Sequence, residues 1–157
     1  GGVAHSGCCL MLPAEAWLRL GILLAADGVW QGRRLLPTGY VTEMRRPTRE
    51  NPYYGLGVYV AGDYTPRRGF AHPEREADSR KVLHSEPYLA PDLFLFDGNA
   101  NQVVYIIPSE RLVILRMGDN PPRGEGKEWD NTVLPNTVLR GILRARAGAA
   151  LNGPDSR

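Results

Sequence analysis

Three apolar bursts near the middle of the chain, joined by connectors too short for anything but reversals, constrain the fold most. The bursts are Leu93-Phe94-Leu95-Phe96, Gln102 to Ile107 and Leu112 to Met117. Asp97-Gly98-Asn99-Ala100-Asn101 joins the first two, and Pro108-Ser109-Glu110-Arg111 joins the last two. Both connectors are built from turn-forming residues. A parallel crossover needs about a dozen residues or more, so the spacing predicts an antiparallel meander.

Helical patterns flank this region. Pro13 and Glu15 suit a helix start, Trp17, Leu20, Leu23 and Leu24 fall at helical spacing, and Asp27-Gly28 provides a stop, which predicts a helix over 13–26. A turn follows at Gln31-Gly32. A shorter helix is expected from Pro37 to Met44 with Tyr40, Val41 and Met44 inward, ended by Arg45-Arg46-Pro47. Tyr54 to Ala61 is rich in strand formers, but Gly55 and Gly57 interrupt it, which points to a bulge or a close approach of another backbone. Residues 131–146 carry one apolar stripe, Val133, Leu134, Val138, Leu139, Ile142 and Leu143, with Pro135 in the first turn and Arg140, Arg144 and Arg146 toward the far end. Between these lies a polar stretch from Gly62 to Pro91 with four prolines, read as a long loop or insertion over 63–91 that runs over the surface. The tail 148–157 is expected to fray.

Helices, a meander and a closing helix make an α+β arrangement in which the last helix covers one face of an antiparallel sheet. Three strands are a small core for 157 residues. The sheet is therefore expected to continue with strands that this chain does not hold.

Composition removes several classes. Gly and Pro are 18 and 13 of 157 residues, roughly a fifth against a usual share of about 12%, which fits a turn-rich fold and not a helical bundle. A net charge of +2 gives no support to nucleic-acid binding. The adjacent Cys8 and Cys9 cannot form a disulfide framework and lack zinc or redox spacing; small buried hydrophobes fit them better. His5, His72 and His84 have no Cys or carboxylate at ligand spacing, so no metal or other cofactor is expected. No apolar run reaches the roughly 20 residues of a membrane span. The opening Gly1-Gly2-Val3, without Met, is read as a cut end, and no signal segment stands there to fix localisation.

Several stretches, in order, resemble the serine β-lactamase-like hydrolases, the family of class C β-lactamases, penicillin-binding esterases and aminohexanoate-dimer hydrolases. Ser6-Gly7-Cys8-Cys9-Leu10 and the first helix, followed by Asp27-Gly28-Val29-Trp30-Gln31-Gly32-Arg33-Arg34-Leu35-Leu36-Pro37, are similar to the family's Ser-Gly-Gly-Gly, helix and Gly-Val-Trp-x-Gly-Lys-x-Leu-Leu turn. Tyr54-Gly55-Leu56-Gly57 looks like its Tyr-Gly-Leu-Gly strand. Gly98-Asn99-Ala100-Asn101-Gln102 with the strand to Pro108 resembles its glycine-rich turn and following strand. Leu112 to Arg116, Trp129-Asp130 and the last helix continue the likeness. The resemblance covers residues 1–147 apart from 63–91. It implies the C-terminal portion of such a domain, the missing N-terminal part supplying further strands and the helical lobe. It also implies an ester or amide as small-molecule substrate, and periplasmic or secreted residence.

The family's chemistry requires a Ser-x-x-Lys, the serine as nucleophile and the lysine to take its proton, and a Tyr-x-Asn on the opposite wall. None of Ser6, Ser79, Ser85, Ser109 and Ser156 is followed by Lys three residues on, and no Tyr here begins a Tyr-x-Asn. Alone, the chain is expected to be inactive. The resemblance implies that it supplies one wall of the cleft, where the first meander strand contributes a backbone N–H to the oxyanion hole. Phe96, Asp97, Gly98 and Asn99 are the candidate substrate-binding residues. The slot carries no Lys or His, which departs from the β-lactamase pattern and favours the esterase and amidase branch. A plain turn is the other reading of Asp97-Gly98. Asn99, Asn101 and Gln102 serve either substrate or the turn's own backbone. Trp17 and Trp30 are read as core. A non-catalytic ligand- or peptide-binding module on the same half-fold is the rival to the hydrolase.

Overall fold

A computed structural model describes residues 11–68, 82–119 and 128–151 of the chain. The first element is helix α1, Ala14–Ala25. Its apolar stripe lays Trp17, Leu20 and Leu24 on the sheet, and it ends where Asp27 and Gly28 take left-handed backbone conformations. The Gly28 N–H then caps the carbonyl of Leu23 at 2.8 Å. Strands β1, Val29–Trp30, and β2, Arg33–Arg34, form a small hairpin. Gln31 and Gly32 at its tip both have positive φ, 49° and 78°, the twist that a two-residue hairpin turn prefers.

Helix α2, Tyr40–Met44, is shorter than expected. It buries Val41 but leaves Tyr40 exposed, so Tyr40 does not point inward. Of the extended stretch that follows, only Tyr59–Val60 forms a strand, β3. The reason is the expected close approach: a Cβ on Gly55 would lie 2.0 Å from the carbonyl oxygen of Met44. Strand β4, Arg67–Arg68, pairs with β5, Val82–Leu83.

The meander is β6, Phe94–Gly98, β7, Gln102–Ile107, and β8, Leu112–Arg116. All its pairs are antiparallel, from Phe94↔Ile106 to Gly98↔Gln102 and from Val103↔Arg116 to Ile107↔Leu112. β3 adds to the outer side of β6, giving a four-stranded sheet in the order β3-β6-β7-β8 among the described residues. The last element is helix α3, Val133–Leu151, with Pro135 in its first turn as expected. It runs past Gly148, so the fraying expected from that residue does not begin there; residues 152–157 lie outside the described residues.

The architecture is α+β, an antiparallel sheet between flanking helices. Strand alternation assigns the two faces. Phe94, Val104 and Ile106 face α1 with Leu24, Val41 and Val58. Leu93, Leu95, Val103, Tyr105 and Ile107 face α3 with Leu139, Tyr88 and Ala90. Gly21 lets α1 sit close on the sheet, since a Cβ there would meet Val113 Cγ1 at 2.6 Å.

The stretch 63–91 differs most from expectation. Residues 69–81 lie outside the described residues, but both flanks are built into the fold. Arg68, His84, Tyr88 and Ala90 are buried, so these flanks are not a solvated excursion. Asn136, itself buried on α3, holds the second flank: its amide accepts from the Leu89 N–H at 3.0 Å and donates to the Pro87 carbonyl at 2.8 Å. No helix among the described residues is long and apolar enough to cross a membrane.

Candidate functional site

The end of β6 is where the sequence places the site. Alternation along the strand divides the four candidates. Phe96 goes to the α1 face, its ring centroid 6.0 Å from that of Trp17. Asp97 goes to the α3 face. Gly98 and Asn99 are exposed at the strand end and in the 3-10 turn Asn99–Asn101. Asp97 and Phe96 therefore serve different faces and do not converge on one ligand through their side chains.

The turn itself is closed by its neighbours. Gln102 spends its amide on backbone: Nε2 donates to the carbonyls of Ala100 at 3.0 Å and Gly118 at 2.6 Å, and Oε1 accepts from the Gly118 N–H at 3.0 Å. The Arg116 guanidinium donates to the carbonyls of Ala100 and Asn101, both at 3.0 Å, and stacks over Trp129 at 4.9 Å. Ala100 and Asn101 have φ of 58° and 59°, a conformation that glycine adopts at least cost.

The backbone of Asp97 has a different setting. The Leu93 carbonyl accepts from the Ala61 N–H at 3.0 Å, toward the β3 side. Backbone groups alternate along a strand, so the N–H and C=O of Leu95 and Asp97 face that same side. β3 covers only Phe94 and Leu95. The outward groups of Asp97 thus stand at a sheet edge with no strand partner among the described residues.

Beside this edge, on the α3 face, lies a small pocket of about 20 Å³, space for about one water, lined by Tyr59, Arg68, Val82, His84, Tyr88, Leu95, Asp97 and Asn131. Asn131 organises its floor. It donates to Asp97 Oδ2 at 2.7 Å and accepts from Trp129 Nε1 at 2.6 Å and the Tyr105 hydroxyl at 3.3 Å. Burial pushes the Asp97 carboxyl above its usual range, against the opposing effect of the Asn131 hydrogen bond. His84 bonds the Val82 carbonyl through Nδ1 at 3.0 Å and the Tyr88 hydroxyl through Nε2 at 3.3 Å. Burial, aided by the nearby Arg68 cation, lowers its pKa to about 4, so the imidazole is neutral at physiological pH.

Arg68 is the unusual member. It is 7% exposed. Its terminal nitrogens donate to the carbonyls of Val60 at 3.1 Å and Asp63 at 3.2 Å, and its guanidinium lies over Tyr53 at 4.3 Å and Tyr88 at 5.6 Å. No carboxylate among the described residues forms an ion pair with it, and its buried Nε has no hydrogen-bond partner there.

The pocket is joined by segments far apart in sequence, and Asp130 ties two of them. Its carboxylate accepts from the Ser85 N–H at 3.2 Å and, at the start of α3, from the Thr132 N–H at 2.9 Å and hydroxyl at 2.6 Å. Burial opposes its charge, but these bonds outweigh that and hold the group below its usual range. Sequence reasoning did not find Arg68, His84, Tyr88 or Asn131 as a group, because no spacing relates them. Pro66, Pro87 and the polar neighbours of Arg68 and His84 read as loop. His5, His72, Cys8 and Cys9 lie outside the described residues, and these contain no cluster of three or more side chains suited to a metal. The sequence matches no protein-family model, and no curated protein is significantly similar to it.

Proposed function

We propose that the chain supplies the strand wall of the active-site cleft of a β-lactamase-like serine hydrolase, an enzyme that cleaves an ester or amide through an acyl-serine. The observation that carries this reading is the open edge of β6 at Asp97, where an outward backbone N–H has no strand partner among the described residues. Such a donor, held by a sheet packed on both faces, is preorganised for the negative charge of a tetrahedral intermediate. Losing one donor of this kind costs about 3 kcal/mol of transition-state stabilisation. The left-handed turn at Ala100 and Asn101 adds support, because the resemblance rests partly on a glycine-rich turn at this point.

The nucleophile, its lysine and the Tyr-x-Asn are not in this chain, so on this reading it has no activity by itself. The rest of the domain would come from the N-terminal side and would add strands and the helical lobe. Absence of Lys or His on β6 turns the preference toward esters and amides that carry no penicillin-type carboxylate. The test is to express the chain together with the reading frame upstream of it and to treat the product with a fluorophosphonate probe and a fluorescent penicillin. Labelling of a serine in a Ser-x-x-Lys of the upstream part is the expected result. A folded product that neither probe labels overturns the hydrolase reading.

A non-catalytic ligand-binding module is favoured by one observation, the Arg68 pocket, which is lined by described residues of this chain and needs no nucleophile.

A further inference from the structure

We propose that the outer edge of β8 pairs with β8 of a second copy of this chain, antiparallel about a two-fold axis at Ile114, so that two four-stranded sheets become one. The proposal does not rest on the hydrolase reading, whose cleft lies at the opposite edge of the sheet. Three observations carry it.

The first is the edge itself. The Leu93 carbonyl faces β3, so by alternation Phe94, Phe96 and Gly98 bond to Ile106, Val104 and Gln102. Val103, Tyr105 and Ile107 of β7 then bond to Arg116, Ile114 and Leu112 of β8. The N–H and C=O of Val113 and Leu115 are left pointing outward, with no strand beyond β8 among the described residues. A two-fold axis at Ile114 sets Val113 of one copy opposite Leu115 of the other, so each donates to and accepts from its counterpart. All five residues of β8 are half-buried, whereas Val103–Ile107 of β7 are buried. Residues 112–115 carry no proline and no charge, the usual devices that keep an edge from pairing. The Arg116 guanidinium is turned to the carbonyls of Ala100 and Asn101.

The second is the fit of the helices. Gly21 sets α1 over β8 and β7 together, since a Cβ there would meet Val113 Cγ1 at 2.6 Å and Val104 Cγ1 at 3.3 Å. Strands lie about 4.8 Å apart, so the two copies of α1 would run about 10 Å apart, within the range at which helices pack. Around α1, Trp17 meets Phe96 of β6 and Gly21 meets Val113 of β8; the next positions in that sense, Leu18 and Ile22, hang past the edge. Ile22 is 47% exposed in the single chain. Pairing would bury it against the second α1.

The third is charge. Arg111 and Asp119 are exposed at opposite ends of β8, and neither is in an ion pair among the described residues. Antiparallel pairing brings Arg111 of each copy to the end that carries Asp119 of the other, an attraction made twice by the two-fold axis.

The experiment is sedimentation of the chain over a range of concentrations, with backbone hydrogen exchange read in the same samples. A reversible monomer–dimer equilibrium is expected, in which the Val113 and Leu115 amides gain protection as dimer forms. The Ile114 amide, bonded to β7, stays protected throughout. Ile22→Glu, at a site exposed in the monomer, should abolish the dimer and leave the circular dichroism unchanged. Arg111→Glu should raise the dimer dissociation constant by about tenfold, and adding Asp119→Arg should restore it. A monomer at every concentration, an open-ended polymer, or a dimer whose Val113 and Leu115 amides exchange as in the monomer overturns the proposal. So does a monomer with both amides protected when the chain is extended upstream, since strands from that part would then hold the edge.

Discussion

At the scale of single residues, burial has done more to the chemistry of this molecule than sequence position. His84 illustrates it. The sequence placed this residue on a solvated stretch, but it is 4% exposed, bonded to Val82 and Tyr88, and its pKa is lowered to about 4 from 6.5, first by burial and then by Arg68. The unfolded chain binds a proton to this imidazole more readily than the folded one. Stability from this source is therefore full above the unfolded value of 6.5 and is lost as pH falls through the folded value near 4. Going from about pH 7 to about pH 5 should reduce the unfolding free energy by about 2 kcal/mol through His84. Urea unfolding at the two pH values checks this, and His84→Gln should remove most of the difference. An equal pH dependence in that variant would show that other groups carry it. Gln31-Gly32 and Gly55 lie at the opposite extreme. The turn at Gln31-Gly32 was legible because glycine's conformational freedom is local; for Gly55 a bulge or a close approach was legible, and only the fold showed that the Met44 carbonyl is what approaches it.

Among the elements, the long helices and the meander were legible and the short pieces were not. The periodicity of α1 identifies both its existence and its face, whereas that of α3 identifies the helix but its face only in part: Leu134 and Leu139 pack on the sheet, and Val133 and Leu143 of the expected stripe are exposed. β3, β4 and β5 have two residues each, too few for any alternation to register. What holds them is tertiary. Leu83 accepts from the Asn131 N–H at 3.0 Å, and Asn136 bridges α3 to the carbonyl of Pro87 and the N–H of Leu89. Asn136→Ala leaves both backbone groups without this partner. It should cost about 2 to 3 kcal/mol. Denaturant unfolding measures the loss, and native-state hydrogen exchange should show the Leu89 amide losing protection ahead of the β7 amides. A cost below about 0.5 kcal/mol would mean that the segment 82–91 is held mainly by Tyr88 and Ala90. The Arg140–Glu86 ion pair on the same joint is partly exposed and is expected to add little.

For the whole molecule, the sheet is the partition between two apolar layers, and each layer needs the other side of the same strands. That arrangement predicts one cooperative unit. Variants that retain only Trp17, on the α1 face, or only Trp129, near the start of α3, should give superimposable urea unfolding curves by fluorescence. Separated midpoints would show that the two layers melt independently. The sequence alone determined the α+β class, the antiparallel order of β6, β7 and β8, and the two long helices, because those follow from periodicity and connector length within a few residues of each other. The Arg68–His84–Asp97–Asn131 pocket, the fourth strand and the open edge at Asp97 were decided only by the tertiary structure. They join segments separated by up to 63 positions, from Arg68 to Asn131. Burial and long-range hydrogen bonds, which no local pattern encodes, set their charge states and positions.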